Sequence, residues 1–175
     1  IALRKGLDIT LLGEADKVYA SLKNAKEYVI KPTDFHGLTP KLNVKIEDHV
    51  KAGSVIFYDK YNDKVKFCSP VSGKILDIVR GAKRRIEQII IQADQENSYK
   101  NLPIKDSEDL SREEIIDALL ESGVWPFIRQ KPYDIIANPF DTPKAIFISS
   151  FSSAPLAIDN DFALYGMEEL FEPKI

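Results

Sequence analysis

Cysteine is nearly absent from this sequence: its 175 residues include one, Cys68. A single thiol excludes a disulfide framework within the chain, and it excludes an all-cysteine iron–sulfur or zinc site. It also fits a reducing compartment. Long apolar runs are missing as well. Nothing approaches the roughly 18 to 20 consecutive apolar residues that cross a bilayer, so no transmembrane segment is expected. Basic residues are not in excess: 24 Lys and Arg stand against 27 Asp and Glu, giving a net charge of −3. A whole-chain positive field for nucleic acid is thereby excluded. The Gly spacing of a dinucleotide fingerprint does not occur. His36 and His49, the two histidines, lie in separate turns with no cluster of Cys, Asp or Glu at ligand spacing. They read as surface or capping residues, and no metal site is expected. The start, Ile1-Ala2-Leu3-Arg4-Lys5-Gly6, is short and charged and does not read as a signal peptide. With no initiator Met and an abrupt stop at Ile175, the sequence reads as a fragment.

What is present is an ordinary globular composition, 44% apolar and 29% charged, enough for one moderate domain or two small ones. Residues 47 to 75 are the most informative. Glu47-Asp48-His49-Val50-Lys51-Ala52-Gly53-Ser54-Val55-Ile56 runs from an acidic turn into a β-rich segment, and Ser69-Pro70-Val71-Ser72-Gly73-Lys74-Ile75 repeats the plan. Gly53 and Gly73 suit tight turns because they lack a Cβ and can take positive φ. Around them, Tyr28-Val29-Ile30, the alternating Leu42, Val44 and Ile46, Val55 to Tyr58, Val65 to Cys68, Lys74 to Val79 and Glu87 to Ala93 read as short strands. Asp59 to Lys64 reads as a polar hairpin tip. Regular short strands with frequent turns predict a small barrel or sandwich, and this pattern resembles the biotinyl/lipoyl barrel-sandwich module.

A polar linker over 95–110 precedes a helix that Ser111 opens, with Glu114 completing a capping box. Ile115, Ile116, Leu119 and Leu120 form its apolar face and Gly123 ends it. Ala145 to Ser149 reads as a short buried strand, the loop Ser149 to Pro155 comes next, and Phe162 to Phe171 reads as a helix. This order predicts the opening of an open α/β sheet. The predicted class is therefore α+β. An N-terminal extension (1–27) packs on a barrel-sandwich domain (28–94); after the linker (95–110), residues 111–175 begin an open, Rossmann-like α/β domain.

Three groups of residues could carry function. A carrier module needs a modifiable lysine at the central hairpin tip; counting back from Pro70 puts Asn62 there, flanked by Lys60 and Lys64. A biotin- or lipoate-type carrier is therefore disfavoured. Trp125, Phe127 and Arg129, in the segment Trp125-Pro126-Phe127-Ile128-Arg129, could form an aromatic slot with a polar handle for a planar ligand such as a quinone. Arg80, Lys83, Arg84 and Arg85 form a compact basic turn suited to docking on an acidic partner, a phosphate or anionic lipid. Asp59, Asp63, Glu47 and Asp48 read as solvated turn carboxylates. The loop Ser149 to Pro155 lies where open α/β folds place ligands. No residue is assigned a catalytic role.

In combination, the segments IALRKGLDITLLG, KLNVKIEDHVKAGSVIFYDK, SPVSGKI, RGAKRRIEQIII, LLESGVWPFIRQKPYD and FDTPKAIFIS resemble the A-subunit family of the sodium-translocating NADH:quinone reductases. The resemblance runs from Ile1 to about Phe171, the N-terminal portion of a longer polypeptide. It implies a peripheral subunit on the cytoplasmic face of a bacterial inner-membrane complex, with the other subunits as partners and quinone as the complex's substrate. The family is similar to the flavin-binding subunit of respiratory complex I. That relative has a Gly-rich FMN loop and cysteine clusters, whereas this chain has Gly123-Val124-Trp125-Pro126-Phe127-Ile128-Arg129 and Cys68 alone. No FMN, Fe–S cluster or covalently bound cofactor is expected. The rival readings are the carrier domain and a flavin-binding module.

Overall fold

In a computed structural model of the chain, residues 12–13, 16–102, 109–149, 152, 154 and 156–167 are described. The chain divides into two compact units, one spanning Lys23–Thr142 and the other combining Ile1–Leu22 with Pro143–Ile175.

Among its described residues, the larger unit has nine strands and one α-helix. Strand β7 (Ile86–Ala93) lies between β1 (Glu27–Ile30) and β6 (Gly73–Arg80), and β6 also pairs with the short β3 (His49–Val50), all antiparallel. A second antiparallel sheet orders β2 (Pro40–Leu42), β4 (Val55–Asp59) and β5 (Asn62–Cys68). Ile56, Phe57, Val65 and Phe67 from the second sheet meet Ile75, Ile86, Ile89 and Ile91 from the first in one core. The Phe57 and Phe67 rings stack with centroids 4.4 Å apart. This is the expected barrel-sandwich arrangement.

Bulges let apolar residues face inward where strict alternation would turn them out. Leu76 is an extra residue in β6, between the pairs Ile75↔Ile91 and Asp77↔Ile90. It resets the alternation, so that Ile75 and Ile78 both reach the core while Asp77 faces solvent. Ile56 does the same in β4, and adjacent Ile56 and Phe57 are both fully buried.

Gly73 is needed for a different reason from Gly53. Gly53 has φ +87, a turn conformation that L side chains rarely adopt. Gly73 carries no such φ; a Cβ there would sit 2.0 Å from the Gln92 carbonyl oxygen across the ladder. The strand beside it leaves no room for any side chain. Before it, the fully buried Ser72 receives a hydrogen bond from Ser98 N (2.9 Å) at its hydroxyl and from Asp94 N (2.9 Å) at its carbonyl, and donates its own N–H to Asn97 Oδ1 (3.0 Å). The chain leaving β7 is thus fastened to this turn, and Tyr99 then bridges in parallel to Ala52.

Helix α1 (Arg112–Glu121) has the expected reciprocal capping box between Ser111 and Glu114. Leu120 is buried in the barrel core, with Ile116 and Leu119 packed against it. Gly123 ends the helix at φ +75. The two-residue strands β8 (Arg129–Gln130) and β9 (Ile135–Ile136) form a small hairpin after it.

Four elements differ from expectation. The strand predicted over Leu42 to Ile46 stops at Leu42, because the Asp48 carboxylate accepts the Lys45 N–H and folds a turn there. The hairpin tip shrinks from Asp59–Lys64 to Lys60-Tyr61, since Asn62 already pairs with Asp59. Residues Ala145–Ser149 form no strand; Ile146, Phe147 and Ile148 are exposed. Among the described residues of that unit there is no strand to receive their backbone groups. The helix predicted over Phe162 to Phe171 is the single turn α2 (Asn160–Leu164), and residues 168–171 lie outside the described residues. Within that smaller unit, Asp159 caps α2, Lys17 pairs with Asp159, and Tyr19 stacks on Phe162 at 4.7 Å.

Candidate functional site

An aromatic cluster with one guanidinium forms where two 3-10 turns and the start of β8 meet on the barrel surface. Pro32–Asp34 is a turn of 3-10 helix anchored by buried Pro32, and it delivers Phe35 to the barrel surface. The Phe35 ring packs edge-on against Phe67 at 4.7 Å and against Phe127 at 6.0 Å. Phe127 ends the 3-10 turn Trp125–Phe127 and is 70% exposed. Arg129 begins β8, and its guanidinium carbon lies 5.6 Å from the centre of the Phe35 ring. One Nη donates to the Asp134 carbonyl at 3.1 Å, which fixes the side chain in that position.

The β8–β9 loop is itself held tight. Lys131 Nζ donates to Asp134 Oδ1 at 2.6 Å, and this hydrogen bond, with the attraction of the same ammonium, holds the Asp134 carboxyl below its usual range. Tyr133 projects from that loop, 71% exposed. The cluster therefore presents ring faces with a cation beside them. It offers stacking and hydrogen-bond donors, which is the chemistry of holding a planar ligand.

Of the three residues expected there, Phe127 and Arg129 come together and Trp125 turns away. Trp125 is buried in the core, with its indole N–H bonded to the Ala137 carbonyl at 2.7 Å. Its aromatic surface holds the α1–β8 connection on the barrel. Phe35 takes its place in the cluster. The signal in the sequence was an aromatic residue inside a polar turn, Asp34-Phe35-His36-Gly37, where solvation alone gives no reason for a Phe.

The basic residues form one exposed surface. Arg80, Lys83, Arg84 and Arg85 ring the β6–β7 turn, with Lys83 at φ 54 and Arg84 at φ 61. Arg80 donates to the Arg84 carbonyl at 3.3 Å.

The remaining polar groups serve local structure. Asp48 and Asp59 accept backbone N–H groups of their own turns, and Glu47 pairs with Lys74. His49 Nε2 lies 3.1 Å from Asp94 Oδ1, beside a shallow groove of about 450 Å³ lined by Asn43, Asp48, Ser54 and Lys100 among others. The Ser72 hydroxyl and then His49 lower the Asp94 pKa. Burial raises that of Cys68. No group of three or more potential metal ligands occurs among the described residues. Lys60, at the hairpin tip, lies over the Tyr61 ring, and Lys64, within β5, lies over Phe140. Most of the loop Ser149–Pro155 lies outside the described residues.

Known proteins match this chain along almost its whole length. Residues 1–94 match the family described as the NqrA N-terminal barrel-sandwich hybrid domain, and residues 110–175 match the NqrA second alpha/beta domain. The barrel-sandwich domain is thus followed by an α/β domain segment. A Vibrio vulnificus protein, named as the A subunit of the Na(+)-translocating NADH-quinone reductase, is 32% identical over 173 residues, covering 98% of this chain and 39% of that protein. Proteins of the same name from Pseudomonas aeruginosa and a Marinomonas species are 29% identical over 174 residues and 30% identical over 171. They are covered over 39% and 38% of their lengths, against 98% and 97% of this chain. The chain spans about two fifths of the length of the curated relatives it matches.

Proposed function

This chain belongs to the NqrA family, and from that premise we propose that it serves within the A subunit of a sodium-translocating NADH:quinone reductase. In this reading it is a peripheral component on the cytoplasmic face of a bacterial inner membrane, concerned with quinone and with scaffolding of the complex. The observation that carries the reading is the match to both NqrA domains in the order in which they occur here. It is supported by the lack, among the described residues, of any helix long and apolar enough to cross a membrane. Sodium transport, NADH oxidation and quinone reduction belong to the whole complex, in which the other subunits are this chain's partners. It carries no FMN, iron–sulfur cluster or covalently attached cofactor of its own.

Within this reading the quinone ring rests against Phe127 and the edge of Phe35, and Arg129 offers N–H donors to a quinone carbonyl oxygen. Stacking supplies most of the contact area and the guanidinium sets the orientation. Trp125 acts from behind, as the core residue that holds the Phe127 turn in place. The basic turn Arg80, Lys83, Arg84, Arg85 is the docking surface.

Photo-crosslinking of a quinone analogue to the intact complex, followed by peptide mapping, tests this reading. Label is expected on peptides containing Phe35 or Phe127; label confined to other subunits refutes it. Arg129→Ala is expected to raise the KM for quinone about fivefold, the equivalent of one hydrogen bond of about 1 kcal/mol.

A further inference from the structure

We infer that the β6–β7 turn binds the anionic headgroups of membrane phospholipids and sets the orientation in which the protein meets the bilayer. The inference rests on the peripheral-subunit reading above. Four cations, Arg80, Lys83, Arg84 and Arg85, fall within six consecutive positions, and all are exposed. Among the described residues, Lys83, Arg84 and Arg85 form no ion pair, although lysines elsewhere pair with Glu47, Glu121, Asp134 and Asp159. Glu87 folds its carboxylate against Gly81 at the base of the turn and offsets part of this field. Lys83 and Arg84 are both left-handed and the Arg85 N–H donates to the Ala82 carbonyl at 3.1 Å, the pattern of a type I′ hairpin turn, so the turn is closed by its own backbone.

The composition of the tip separates a lipid surface from an acidic protein. Protein interfaces centre on buried aromatic or aliphatic anchors. Here the cations are accompanied only by Gly81 and Ala82, with no aromatic residue in the turn. The side chains are long and, Arg80 apart, unfastened. A fluid headgroup layer accepts such an arrangement, because lipid phosphates move to the cations. The turn also closes a hairpin of two eight-residue strands, at the end of the four-stranded sheet. The chain as a whole carries −3. An anionic surface therefore repels the body and attracts the tip, which is an orienting force.

Co-sedimentation of the purified protein with phosphatidylcholine vesicles, and with vesicles containing phosphatidylglycerol at about one lipid in three, tests the inference. At low salt, at least about tenfold more protein is expected on the anionic vesicles, and the difference should vanish as salt screens it. Replacing Lys83, Arg84 and Arg85 together by Ser should reduce binding to the phosphatidylcholine level. The double change Arg84→Lys and Arg85→Lys keeps the charge and should keep the binding; it also decides the matter should the serine variant fail to fold. Equal binding to both vesicles overturns the inference. So does full binding by the serine variant. Loss of binding in the lysine variant would show that positive charge on the turn is not what holds the protein on the vesicles, and would equally overturn it. Quinone-analogue binding by the complex in detergent, where there is no bilayer, tests the other reading by itself, so either can fail alone.

Discussion

Two isoleucine-rich runs of this chain have nearly the same composition and opposite fates. Ile89-Ile90-Ile91 lies in β7, where Ile89 and Ile91 are fully buried and every position pairs with β1 on one side and β6 on the other. Ile146-Phe147-Ile148 is 73%, 94% and 88% exposed and belongs to no strand. Hydrophobicity does not separate them. The difference is the supply of neighbours: a strand forms where both edges of its backbone find partners and its inward face finds a core. In β7 both are present within the same hairpin and the returning β1. In the second run, neither is present among the described residues.

The strongest test of this comparison attacks the ladder rather than a side chain. Gly73→Val puts a Cβ against the Gln92 carbonyl, which is backbone and cannot rotate away. A loss on the order of 3 kcal/mol or more is expected, the upper end of overpacking costs, since β6 must separate from β7. Chemical denaturation measures it; an unchanged midpoint would show that the two strands are not closely joined at this point.

A matched pair of truncations comes next. Ile89→Ala should cost about 2–5 kcal/mol, the usual range for a fully buried isoleucine, and Ile148→Ala should stay within about 0.5 kcal/mol. Comparable losses from the two would mean that the second run is packed, and the contrast would collapse. Smaller again is Ser111→Ala, which removes one half of the capping box and should cost about 1 kcal/mol by thermal melting.

The smallest effect is in pH. Asp94 sits at the end of β7, and its carboxyl is held below the usual range by Ser72 first and His49 second. A carboxylate whose folded pKa lies below its unfolded value of about 4 contributes stability above that value and loses it as pH falls through the folded pKa. Asp94→Asn should therefore lower the melting temperature slightly near neutrality, and the gap from wild type should close between about pH 5 and pH 3. A gap of constant width across that range would remove Asp94 from the account.

The barrel was legible because its signals are local. β4, β6 and β7 are short apolar runs rich in isoleucine and bounded by turn residues, and the turns around Gly53 and Gly73 are marked by glycine and proline. The helix announced itself through Ser111 and Glu114, three positions apart. What could not be read was anything decided across a distance. Val44 is buried although its strand has ended, because Asp48 folds the chain back beneath it. Trp125 and Phe127 are equally aromatic neighbours of Pro126, and only the packing of α1 on the barrel determines which faces inward. Phe35 joins Phe127 and Arg129 from a segment far away in sequence, so a motif search centred on Trp125 could not reach it.

The glycine that ends α1 also gives the chain a built-in reporter. A Cβ at Gly123 would stand 2.7 Å from the sulfur of Cys68, so the helix terminus lies directly on the thiol. Burial also keeps that thiol protonated beyond its ordinary range, which slows its reaction further. Cys68 is half-buried, and a maleimide or similar reagent therefore reacts faster in those molecules whose helix has lifted away from β5. The labelling rate then rises with the frequency of such openings at one place in the molecule. Because Cys68 is the single cysteine, the signal needs no deconvolution. The same measurement, repeated with partners or membrane present, reads how each of them tightens or loosens the joint between the barrel and its docked helix.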